Sequence, residues 1–82
     1  MKTLCLLRLQ ARVLALRIQV RNAAMRALAA ESIAASAEAL GADAPVLVSV
    51  TSYQIQRQNA LMDAEDALQT ARRELNEFRR TA

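Results

Sequence analysis

Gly41-Ala42-Asp43-Ala44-Pro45 decides the fold. It holds the only glycine and the only proline of the 82-residue chain, and helix-like sequence of similar length lies on each side. Glycine takes positive φ at little cost, which suits the residue just past a helix end. Asp43 is suited to accept hydrogen bonds from the first N–H groups of a following helix. Pro45 fits the first turn of that helix, where its missing donor is not needed. No Glu or Gln stands three residues after Asp43, so a full capping box is absent. The stretch predicts an all-α antiparallel helical hairpin forming one domain over 1–82. The first helix runs over about 3–40, the turn over 41–45 and the second helix over about 46–80.

In such a hairpin, facing residues carry numbers that add to about 86. Arg8 then lies near Glu77, Arg12 near Glu74, Arg21 near Glu65 and Asp66, and Glu31 near Arg57. The basic block of the first helix meets the acidic positions of the second. Each exposed pair contributes little, about 0–1 kcal/mol, so the pattern bears on register more than on stability.

The first helix carries two apolar stripes. Leu4, Leu7, Ala11, Leu14, Ile18, Met25 and Leu28 form one, at spacings of three, four and seven. Leu61, Ala64, Leu68, Ala71, Leu75 and Phe78 form a similar stripe on the second helix. The register near 86 makes these the coiled-coil seam within the hairpin, with Leu7, Leu14, Ile18 and Met25 against Leu61, Leu68, Leu75 and Phe78. The other stripe is Leu6, Leu9, Val13, Leu16, Val20, Ala23, Ala27, Ala30, Ala34 and Ala37. At about 100° per residue it lies roughly 140–160° from the first. One partner helix cannot cover opposite faces, so Leu6, Leu9, Val13, Leu16, Val20, Ala23 and Ala27 are expected to form a protein interface.

Residues 23–44 are rich in alanine, which favours helix and lets helices approach closely while burying little area. Residues 46–51, Val-Leu-Val-Ser-Val-Thr, suit a short strand or the start of the second helix; the absence of a strand to pair with favours helix. The polar run Gln54, Gln56, Arg57, Gln58 and Asn59 interrupts the second seam, and polar seam positions fix register or oligomer order. Arg79 and Arg80 suit the negative end of the helix dipole.

The composition excludes several chemistries. There is no histidine, so imidazole serves neither as metal ligand nor as base. Cys5 is alone and has no internal partner; a buried, reduced thiol is expected. Asp63, Glu65 and Asp66 lack the glycine turn and spacing of a calcium loop. No phosphate loop, dinucleotide fingerprint or nucleophile–base pair is present. No enzyme activity, cofactor or metal is expected. No charge-free stretch reaches 18 residues, so no transmembrane span is expected. Arg8 breaks the apolar start too early for a secretory signal, and the compartment stays open.

Leu61 to Arg72, Leu-Met-Asp-Ala-Glu-Asp-Ala-Leu-Gln-Thr-Ala-Arg, resembles the hairpin helices of TolC-type outer-membrane efflux proteins over about a dozen residues. The strands and further helices of those proteins are absent. In size and layout the chain is similar to helical-hairpin subunits and chaperones of type III secretion systems. Neither resemblance carries functional residues over.

The expected function is a non-enzymatic structural or assembly protein. It would pack with itself, or with other helical proteins of a secretion apparatus or virion, into an oligomeric bundle. The alternatives use the basic first helix. Arg8, Arg12, Arg17, Arg21 and Arg26 would contact nucleic acid, with a net charge of +3 in support. Or the helix would lie on a membrane surface.

Overall fold

A computed structural model describes residues 2–81. It contains two α-helices of 38 residues each, α1 (Lys2–Ala39) and α2 (Ala44–Thr81). They form an antiparallel hairpin 59 Å long and 14 Å across in each other direction. Residues 46–51 are helical. Among the described residues there is no strand.

The turn closes as its glycine requires. Gly41 has φ 69°. Its N–H donates to the Glu38 carbonyl at 3.1 Å, and the N–H of Ala42 donates to the Ala37 carbonyl at 3.0 Å. Those two bonds make a Schellman motif, which satisfies carbonyls that the end of α1 would otherwise leave open. Asp43 starts α2 through its main chain: its carbonyl accepts the N–H of Leu47 at 3.0 Å. Among the described residues its carboxylate takes no hydrogen bond.

Burial on α1 reverses the expected roles of its two stripes. Leu6, Leu9, Val13, Leu16, Val20 and Ala23 are half-buried and Ala27 is buried, so the expected interface residues line the inside of the hairpin. Leu7, Leu14, Ile18 and Met25, expected in the seam, are more than half exposed. On α2 the expected seam holds: Leu68, Ala71 and Leu75 are buried, and Leu61 and Phe78 are half-buried. The inner ladder of α2 also continues upstream at the same three-four spacing through Arg57, Gln54, Val50 and Leu47, all half-buried. Taken in opposite directions, the ladders match position for position. They run from Leu6 with Phe78, through Leu9 with Leu75 and Leu16 with Leu68, to Ala37 with Leu47.

Two residues explain the reversal. At three-four spacing the outer stripe continues through Arg21 and Ser32. Turned inward, it would put a guanidinium into the seam, and burying an unpaired charge is costly. The inner stripe is apolar at all ten of its positions. Its alanines face the polar part of α2, where Arg57 and Gln54 fall opposite Ala27 and Ala30 and find space that leucines would fill.

Candidate functional site

The inner seam changes character along its length. Toward the chain ends, leucines, valines and Phe78 occupy the half-buried and buried positions. Toward the turn, α1 supplies only alanines. A groove of about 280 Å³ opens there between the helices, edged by Glu31 and Glu38 and lined by Ala34, Leu47, Val50 and Gln54. Among the described residues five are buried, Ala27, Ala30, Leu68, Ala71 and Leu75, and none of these is polar.

The outer face of α1 is the larger feature. Leu4, Leu7, Leu14, Ile18, Met25 and Leu28 are between 55% and 67% exposed. They recur on one side of the helix from its first turn to beyond its middle, and single exposed leucines would not. Ala11, of the same stripe, is also exposed. On α2, Val48, Ile55 and Met62 form a second outer row at intervals of seven residues, each at least half exposed. The seven-residue spacing was present in the sequence, but the polar residues around it hid the row.

The arginines of α1 are all exposed. Arg12 Nη1 donates to Glu74 Oε2 at 3.2 Å, as the register anticipated. Among the described residues Arg8, Arg17, Arg21 and Arg26 form no ion pair, and neither do Glu31 and Arg57. Arg57 turns toward Tyr53 on its own helix, while its Nε is buried without a hydrogen-bond partner. The sequence places Arg57 in a polar run that interrupts the seam, and of that run Arg57 and Gln54 are the half-buried members of the inner ladder. Cys5, expected to be buried, is exposed, because it lies between the two apolar stripes.

Among the described residues no three metal-ligating side chains come together. No helix among them is long and apolar enough to cross a membrane. The molecule is an antiparallel two-helix hairpin with one unpartnered apolar face on α1. No protein family, curated protein or solved structure matches the chain.

Proposed function

We propose that the hairpin is an assembly element that works without catalysis, and that it associates through the outer stripe of α1. The observation that carries this reading is the row Leu4, Leu7, Leu14, Ile18, Met25 and Leu28, which stays exposed while the opposite stripe is used inside the hairpin. The accessible surface is 6292 Å². A compact monomer of 9.0 kDa would expose about 4,900 Å². The excess of about 1,400 Å² exceeds the roughly 800 Å² that a stable interface takes from each partner. Covering the remaining exposed part of each large side chain contributes on the order of 1 kcal/mol.

The test is solution mass by light scattering, for the native chain and for Leu14→Glu with Ile18→Glu. The native chain is expected as a discrete oligomer, and the double variant as a helical species of lower mass. Leu16→Glu is the control for the inner face, and it should lose helicity as well. A native chain that stays monomeric at high concentration overturns the reading.

A second reading is supported by the exposed arginines that lack ion pairs, Arg8, Arg17, Arg21 and Arg26. They would contact the phosphate backbone of a nucleic acid. Binding of this kind weakens steeply with salt, with a slope of log affinity near one per phosphate neutralised. Titration of a fluorescent duplex RNA between low and physiological salt tests it, and salt-independent binding or none removes it.

A further inference from the structure

The inner ladder keeps its three-four spacing from Leu6 to Ala37 on α1 and from Leu47 to Phe78 on α2. Residues seven apart therefore stay on one side of the seam along the whole hairpin, and each edge can be followed by heptads. The groove near the turn marks one edge, through Glu31, Ala35, Glu38 and Thr51. Heptads lead back from Glu38 and Glu31 through Ala24 to Arg17, and from Ala35 to Arg21. On α2 they lead from Thr51 through Gln58 and Glu65 to Arg72 and Arg79. The ion pair of Arg12 with Glu74 marks the other edge. These two residues stand about 140–160° round their helices from Arg17 and Arg72, across the ladder. Arg8 lies one turn from Arg12, Glu77 one turn from Glu74, and Asp63 two heptads before Glu77.

The open half of the hairpin thus sorts its charges between its edges. The groove edge holds Arg17, Arg21, Arg72 and Arg79 against the single acid Glu65. The opposite edge holds Arg8 and Arg12 against Asp63, Glu74 and Glu77. The four arginines of the groove edge are exposed, and among the described residues none of them forms an ion pair. Since Phe78 pairs with Leu6 and Leu75 with Leu9 in the ladder, Arg79 falls level with Cys5 and Arg72 level with Arg12. The strip runs from there to Arg21, about 24 Å at 1.5 Å per residue. Toward the turn it ends at Glu31 and Glu38.

We infer that this strip, built by both helices, holds the phosphate backbone of a nucleic acid. The inference rests on the nucleic-acid reading above, and it moves the contact from the arginines of α1 to one edge of the hairpin. Phosphates follow one another about every 3.4 Å along a strand, so the strip spans several of them. Ten of the 11 basic residues of the chain are arginine, whose planar fork matches phosphate oxygens in pairs. A lipid surface fits the strip less well. A face that lies on a membrane inserts apolar side chains, and the heptad positions of Arg17 and of Arg72 hold none larger than alanine.

The experiment titrates a fluorescent duplex RNA with pairs of variants that change the same charge on the two edges, with helicity followed by circular dichroism. Arg72→Gln with Arg79→Gln should weaken binding at low salt by at least about tenfold, and lower the slope of log affinity against log salt by about two. Arg8→Gln with Arg26→Gln removes the same charge and should lower the slope by less than half as much. Glu65→Gln should tighten binding, and more than Asp63→Asn does. Such differences between edges support the strip, since net charge changes equally in each comparison. Equal effects at both edges overturn it and leave the nucleic-acid reading standing. A native chain that binds the RNA independently of salt, or that binds vesicles containing anionic lipid and not the RNA, overturns both.

Discussion

The guanidinium of Arg57 lies over the ring of Tyr53, with its carbon 5.0 Å from the ring centroid, one turn back along the same helix. Arg57 begins in the inner ladder and ends at the ring, so its side chain leaves the seam instead of crossing it. The ring face offers favourable electrostatics to the cation. The buried Nε has no partner among the described residues, and an unsatisfied buried donor costs about 1–3 kcal/mol.

Replacing that arginine with an apolar residue should therefore strengthen the hairpin. Arg57→Leu is expected to raise stability by about 1–3 kcal/mol, read as a higher urea midpoint. A midpoint that falls would mean that the cation–ring contact outweighs the orphaned donor.

The ion pair between Arg12 and Glu74 is a register mark with little strength. Its side chains are 55% and 45% exposed. A double-mutant cycle with Arg12→Ala and Glu74→Ala should give a coupling of about 0–1 kcal/mol. At 1 M salt, where the screening length is about 3 Å, the coupling should fall toward zero. A coupling that persists in high salt would point to packing of the arginine stem.

Ala30 and Ala71 are completely buried. Ala30→Leu and Ala71→Leu should each lower stability by about 1–3 kcal/mol, because added methylenes at a close contact push the helices apart. Ala15→Leu, at an exposed position of α1, is the matched control and should change stability by less than about 0.5 kcal/mol. Equal effects at Ala30 and Ala15, read by thermal melts followed by circular dichroism, would contradict the burial pattern.

Gly41 isolates a backbone effect. A Cβ built at this residue meets nothing within 4 Å, and its φ is positive. Gly41→Ala should lower stability by about 1–2 kcal/mol through the left-handed conformation alone. Gly41→Asn, which tolerates that region better, should lose less. If the two variants melted together with the native chain, the turn would have relaxed to another geometry.

The two helices and their turn were legible because glycine, proline and the three-four spacing act locally. The inner face of α2 was legible too, since the outer row Val48, Ile55 and Met62 ends where the stripe of Leu61, Leu68, Leu75 and Phe78 begins, and no rival runs beside it. The face of α1 was not, because both stripes are apolar and the choice between them is made across the hairpin. The outer stripe has the larger side chains, and their size suggested a core. The interruption at Arg21 and the alanines needed opposite Arg57 and Gln54 outweigh size. Three of the four anticipated charge pairings are absent among the described residues. Long exposed side chains lose entropy when held together, and a register match alone does not repay that loss.

The grading of the inner seam from alanine to leucine has a kinetic consequence. Closing the helices next to the turn costs little chain entropy, but alanine layers return little burial. The layers that return most, around Leu68, Leu75 and Phe78, come together last. A half-zipped hairpin thus gains almost nothing, and its barrier lies late along the closing path. The molecule behaves as tweezers gripped at the tips and slack at the hinge, so folding should follow one exponential phase with no populated intermediate.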